Sequence, residues 1–287
     1  MIKAQSVRLF ALTGTLLLST ICAFGAMAEG VVVSQPVSIE GTNYPGRWYL
    51  PAQQPQGVVY LQHGFSRNAT RLSNLAEGLM ARGLMVLSIN AGMTQGAQSL
   101  AQAVAEQLST NPPTPPNGYL WPSRLVVAGH SAGGAHAGYI AGYLATEAYS
   151  GLAGVILFDP AEGPDLQPHL QAAVDAGVPV RAILANKGSC NSQGSTHVDL
   201  KNLTGTDYTG IKLTSRSSHV DAEGSNTDWL MRFFCGAPQS YNITTVQEFT
   251  SAWAVDMITG SYSSEYYPGG LQVLELYDAG RGHLIKD

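Results

Sequence analysis

Ser131 sits in the run GHSAGG, residues 129–134, directly after the apolar stretch RLVVA and directly before AHAGYIAGYLA. A serine hydroxyl is a weak nucleophile unless a base and oriented N–H donors meet at it. A Gly-x-Ser-x-Gly turn between a strand and a helix meets that need. The tight turn makes the hydroxyl protrude, and Gly129 and Gly133 leave room where a Cβ would collide. The helix that starts after the serine offers unpaired amides and its positive end to a developing oxyanion. Ser131 is therefore the expected nucleophile, against the plainer reading of a tight structural turn. His130, inside the motif, reads as structural or as a wall of an acyl pocket, and His136 as a packed helix residue.

The base should follow late in the chain, because on this kind of scaffold the order is serine, acid, histidine. His197, His219 and His283 are available. His219 closes the strand-like GIKLTSRSS and precedes NTDWLMRFFCG, which reads as the last clear amphipathic helix, so it is the expected base. His197 lies beside a short regular segment, and His283 lies in a tail expected at the surface. The acid must stand at a strand end near the base, to fix its tautomer and stabilise its charged form. After RAILA, the usual place, NKGSCNSQGS offers no carboxylate. One strand earlier, GVILFDPAEG ends in Asp159, which is the expected acid, with Glu162 and Asp165 as competitors. The oxyanion donors are then the backbone amides of Ala132 and of Phe65 in QHGFSRN, with His63 organising that loop.

These residues need a particular scaffold. GVVYLQHGF, LMVLSIN, RLVVAGHS, GVILFDP, VPVRAILA and GIKLTSRSSH read as strands, and VVVSQPVSIEG with GRWYLPA as an opening meander. RLSNLAEGLMARG carries Leu72, Leu75, Ala76, Leu79 and Met80 on one helical face and is closed by Gly83. GAQSLAQAVAEQLST and AGGAHAGYIAGYLATEA read as further helices, and Gly134, Gly138 and Gly142 form a stripe that would let the second approach its sheet closely. NPPTPPNGYLWP is an irregular connection. Apolar strands alternating with helices predict an α/β fold with a mostly parallel central sheet and helices on both faces, in one domain over residues 29–287.

Residues 1–28 read as a signal peptide: Lys3 and Arg8, then LFALTGTLLLSTICAFG, then Ala26-Met-Ala28 as a cleavage pattern. The mature chain would begin near Glu29 and be secreted or periplasmic, with no stable membrane anchor. Cys22 leaves with that segment. Cys190 and Cys235 remain as an even pair in an oxidising compartment, expected to form a disulfide, with two buried thiols as the alternative. A net charge of −5 over 287 residues gives no reason to expect nucleic acid or an anionic membrane as partner. Asn68, Asn202 and Asn242 open N-x-Thr sequons.

With these residues placed, the chain resembles the α/β-hydrolases of the chlorophyllase and polyester-hydrolase, dienelactone-hydrolase-like, neighbourhood. GHSAGG is similar to the chlorophyllase lipase-type motif, and GVILFDPAEG to that family's strand ending Asp-Pro-x-x-Gly, where its acid sits. SCNSQGSTHVDL and SSHVDAEG resemble the segment before its histidine and the loop that carries the base. The resemblance spans roughly residues 58–236 and implies an α/β-hydrolase fold with Ser131, Asp159 and His219 as its triad.

The combined reading is an exported serine hydrolase that cleaves a carboxylic ester, small or polymeric, through an acyl-enzyme, as a monomer and without a cofactor. A serine peptidase or acyltransferase on the same fold is the alternative, and an inactive hydrolase-fold binding protein the other. A metal reading competes too: His-Val-Asp occurs at 197–199 and again at 219–221, and such pairs can ligate zinc. Two zinc-bound pairs would take His219 away from base duty. DAEGSNTD lacks the spacing of a calcium loop. No metal is expected.

Overall fold

The computed structural model describes residues 30–161, 163–214 and 216–287. The expected signal peptide with Cys22, and the competing acid Glu162, lie outside the described residues. The chain opens with β1 (Val31–Ser34), a hairpin of β2 (Val37–Ile39) and β3 (Thr42–Tyr44), and β4 (Gly46–Leu50). Strands and helices then alternate: β5 (Val58–Gln62), α1 (Ser73–Ala81), β6 (Met85–Ile89), α2 (Gln98–Thr110), β7 (Leu125–His130), α3 (Ala132–Thr146), β8 (Leu152–Phe158), α4 (Leu166–Asp175), β9 (Val180–Leu184), α5 (Thr196–Lys201) and β10 (Gly210–Leu213). The segments α6 (Trp229–Cys235), α7 (Ser240–Thr259), α8 (Leu271–Asp278) and β11 (Gly282–Leu284) complete it.

Nine strands form one sheet in the order β1-β4-β6-β5-β7-β8-β9-β10-β11. The run from β6 to β10 is parallel, while β1, β4 and β11 pair antiparallel at the two margins. Strand alternation divides the core. Val58, Tyr60, Val127, Val155 and Leu157 pack with α2, α3 and α4 on one face. Their neighbours Val59, Leu61, Val126, Ile156 and Phe158 pack with α1, α7 and α8 on the other. A parallel strand covered on both sides must be apolar at both parities, which explains the near-continuous apolar runs. Burying each such Val, Leu or Ile stabilises the fold by about 1.5–3 kcal/mol relative to exposure. The chain passes from β5 outward to β6 and returns across β5 to β7, so the order reverses between β5 and β7. In open α/β sheets the crevice at such a reversal is where ligands bind.

Several elements depart from expectation. Helices α4, α7 and α8 and strand β11 were not predicted. The glycine stripe of α3 approaches a helix rather than the sheet: a Cβ on Gly138 would press on Leu166 and Leu170, and one on Gly142 would overlap His169, all on α4. Gly134 of the same stripe faces Pro160. The proline-rich connection holds a single 3-10 turn, Pro116–Gly118. Cys190 and Cys235 form a disulfide with Cα atoms 5.6 Å apart. Among the described residues no helix is long and apolar enough to cross a membrane.

Candidate active site

Strand β7 delivers Ser131 into a backbone conformation of φ 57° and ψ −127°, which an L-residue adopts only when its surroundings impose it. Those surroundings are hydrogen bonds and glycines. The Ser131 amide donates to Phe158 O, and its carbonyl accepts from the Gly134 and Ala161 amides. A Cβ on Gly129 would overlap the Gly133 carbonyl, and one on Gly133 would overlap the His63 carbonyl. The turn therefore closes only with glycine at both positions. Ala132 opens α3, so its amide belongs to the first turn, where the helix supplies no acceptor.

The loop after β5 lies against this turn. A Cβ on Gly64 would stand 2.9 Å from Ser131 Cβ and 3.4 Å from its Oγ, so the backbone leading to Phe65 passes beside the hydroxyl. Phe65 projects its ring outward, 59 % exposed. His63 is buried and its Nδ1 donates to Gly64 O, the loop-organising part expected of it. Burial holds its pKa below the usual histidine value.

Asp159 follows β8 with φ 41°, a turn that aims its carboxylate across the strand ends. Oδ1 accepts from the Ala185 amide at 3.0 Å, and Oδ2 lies 2.6 Å from His219 Nδ1. With Nδ1 carrying the proton toward Asp159, the lone pair is left on His219 Nε2. His219 and Asp159 are 7 % and 6 % exposed, so their charge-assisted contact is shielded from water. Ser131 Oγ makes no hydrogen bond to another described side chain.

The other described candidates stand apart from this pair or take other parts. Asp165 is exposed before α4. His197 lies on α5, with Nε2 donating to the Ile285 carbonyl. His283 lies on β11 and its Nδ1 donates to Leu284 O. His136 is fully buried, with Nδ1 donating to Gly96 O. His130 takes the structural part: Nε2 donates to the His219 carbonyl at 2.7 Å, and the two rings lie 4.7 Å apart. Burial first, then the proximity of His219, lowers its pKa to about 4, so it is neutral at physiological pH. Asp221, the partner of His219 in the zinc reading, accepts instead from the Ser218 and Gln239 amides and from Asn242 Nδ2. That bond buries Asn242, closing one of the three sequons. Among the described residues no group of three or more His, Cys, Asp or Glu is placed to hold a metal.

Two features had no counterpart in the sequence reading. The first is an ionic cluster joining the Phe65 loop to the His219 loop. Arg67 Nε and Nη2 reach both oxygens of the fully buried Glu223 at 2.7 and 2.5 Å, and Nη1 reaches Asp228 at 2.7 Å. Burial works against the Arg67 charge, but the two carboxylates outweigh it and raise its pKa. The second is Asn191, whose Nδ2 donates to Asp159 Oδ2 at 2.9 Å. An amide side chain in a Gly/Ser-rich loop carries no periodicity that would single it out.

The helix that follows His219 also differs from expectation. Four of its five large apolar residues face water, Met231 being half-buried: Trp229 is 76 % exposed, Leu230 45 %, Phe233 77 % and Phe234 63 %. Phe234 shares a surface cavity with His219, Asn191 and Ser217.

No family model and no curated protein matches the sequence. Solved structures do. Dienelactone hydrolase from Anabaena variabilis superposes with a TM-score of 0.55 at 18 % identity, covering 79 % of this chain and 97 % of that one. An esterase from Pyrobaculum calidifontis superposes with a TM-score of 0.54 at 15 % identity, covering 82 % and 86 %. Both are α/β-hydrolases, so the chain has the α/β-hydrolase fold, and a dienelactone hydrolase stands among its structural neighbours as the motif resemblance implies.

Proposed function

We propose that this α/β-hydrolase-fold protein is an exported serine hydrolase that cleaves carboxylic esters through an acyl-enzyme. The observation that carries the reading is the 2.6 Å contact of His219 Nδ1 with Asp159 at strand ends next to a strained Ser131. In this mechanism Ser131 Oγ attacks the ester carbonyl while His219 Nε2 takes its proton. The tetrahedral oxyanion is held by the Ala132 and Phe65 amides, one such donor lowering the barrier by about 2.7–4 kcal/mol. Collapse breaks the C–O bond, and the alcohol leaves with the proton from His219. Water then attacks the acyl-enzyme, His219 takes its proton, and the acid departs with Ser131 restored. Asp159 orients the imidazole and stabilises the imidazolium.

The fold neighbours named above, a dienelactone hydrolase and an esterase, favour ester chemistry over the peptidase and acyltransferase alternatives. Export accords with the Cys190–Cys235 disulfide and with the targeting pattern of residues 1–28. Substrate meets an apolar entrance, with Phe65 beside the nucleophile turn and Phe234 beside His219.

The test is turnover of a p-nitrophenyl ester chain-length series by the mature protein and its variants. Wild type should hydrolyse at least the short members. Asp159→Asn should lose about four orders of magnitude in kcat with its fold intact, the cost of holding the wrong tautomer. Near-normal turnover by that variant would move the acid to Glu162 or Asp165. A folded wild type inert toward the whole series would favour a binding protein on a hydrolase fold.

A further inference from the structure

The loop after β9, the usual place of the acid, holds no carboxylate between Asn186 and Ser195. It places Asn191 against the acid instead. Asn191 Nδ2 donates to Asp159 Oδ2 at 2.9 Å and to the Asn186 carbonyl at 2.7 Å, while Oδ1 accepts from the Gly188 amide at 2.8 Å. The Gly188 and Asn186 contacts fix which end of the amide is which: only Nδ2 can face Asp159. The residue is 1 % exposed, and its neighbour Cys190 is cross-linked to Cys235.

Nδ2 of Asn191 and Nδ1 of His219 converge on one oxygen. Two donors on one carboxylate oxygen share its charge, so each weakens the pull felt by the other. Resting on the serine-hydrolase reading, we infer that Asn191 is a positioning residue: it locks the orientation of Asp159 and limits how strongly Asp159 holds the His219 proton. Because both donors reach the same Asp159 oxygen, a carboxylate at position 191 would stand within electrostatic range of His219. The chain thus carries its acid after β8 and keeps the usual acid position as an amide that trims it.

The other charged or titratable groups facing this pair are His130, its ring tilted against His219, Glu223 behind His130, Asp221 and Lys212, whose charges act on Asp159, and Lys187 and His197, which line a cavity with Asp159. Asn191 variants leave all of these in place. A change in the pH profile therefore reports on the altered contact with Asp159.

The experiment compares kcat/KM against pH for p-nitrophenyl butyrate in wild type, Asn191→Ala, Asn191→Asp, Asp159→Asn and the double variant Asp159→Asn/Asn191→Asp. Melting temperature and the downfield His219 Nδ1 proton resonance are recorded for each. Without its second donor, Asp159 becomes more basic and holds the imidazolium more firmly. Asp159 also loses its fixed orientation toward His219, and for that reason Asn191→Ala should lose about tenfold in kcat/KM. Its acid limb should move upward by about one pH unit, with the proton resonance displaced. Asn191→Asp, nearly the same shape, should move the limb in the same direction. The double variant should exceed Asp159→Asn by about tenfold or more, since charge is restored within reach of the base.

An acid limb and a proton resonance both unmoved in Asn191→Ala would overturn the inference, whatever happens to stability. So would a double variant no better than Asp159→Asn. The resonance needs no turnover. If wild type proves inert but the resonance shifts, the hydrolase reading fails while the Asn191–Asp159–His219 coupling stands.

Discussion

Helices α6 and α7 follow one another in the chain and are held in opposite ways. Helix α7 is 20 residues long and seats Val246, Phe249, Trp253 and Ala254 against the sheet, each at most 3 % exposed. Phe249 and Trp253 meet edge to face, and Trp253 Nε1 donates to the Tyr266 carbonyl. Helix α6 has seven residues and none is buried. Directed bonds fix it at its two ends. At the start, Asp228 Oδ1 accepts from the Met231 amide and Oδ2 is held by Arg67 and Arg71. At the finish, Cys235 is tied to Cys190, and Ser218 Oγ donates to the Cys235 and Gly236 carbonyls. The scaffold is thus held by buried area, whereas the rim beside His219 is held by a few specific bonds. A rim fixed in this way can leave its apolar face open, which a helix anchored by burial cannot do.

This contrast predicts different consequences for damage in the two places. The largest stability effect should come from Trp253→Ala in α7, a loss of about 3–5 kcal/mol read by denaturant unfolding, because the core cannot collapse onto so large a void. A loss under about 1 kcal/mol would break the contrast. Removing the disulfide with Cys190→Ser/Cys235→Ser should cost about 2–4 kcal/mol. It should also speed amide exchange in α6 and in the loop around Asn191 while α7 stays protected. Uniform exchange across both helices would mean that the rim is not separately held.

Asp221 links the two regions, bonding Ser218 beside His219 and Asn242 on α7. Burial raises its pKa to about 6, against the hydrogen bonds that lower it. The unfolded carboxyl ionises near 4, so the folded form holds the proton more firmly. The associated stability is present in full below about pH 4 and is lost as pH rises through about 6, on the order of 2–3 kcal/mol. Asp221→Asn should flatten that dependence, and unfolding curves across this window would show it. Smallest of all should be Phe233→Ser on the open face of α6, within about 0.5 kcal/mol in stability.

Much of the candidate site was legible because its geometry demands rare residues. Gly129 and Gly133 are forced by carbonyls that a Cβ would overlap, and Asp159 stands out as a charge ending an apolar strand. The fold was legible from apolar strands that must be buried on both faces. Helix α7 was not, because Ile243, Thr244, Thr245 and Val246 are β-branched and favour strand over helix until tertiary packing overrides them. Helix α4 carries Pro168 in its first turn, where proline is tolerated but interrupts the helical sequence pattern. The α6 pattern of Trp229, Leu230, Phe233 and Phe234 suggested an inward face. Periodicity reports that a helix has an apolar side, and the bonds from Asp228 and Cys235 decide whether that side is covered. Arg67–Glu223 and Asn191–Asp159 are long-range pairs, and a single sequence marks neither partner.

The most direct test of the central claim is to treat the folded mature protein with a fluorophosphonate probe and locate the adduct by peptide mass. One adduct is expected, on Ser131, formed much more slowly in His219→Ala. A wild-type protein left unlabelled at Ser131, or labelled at another serine, would contradict it.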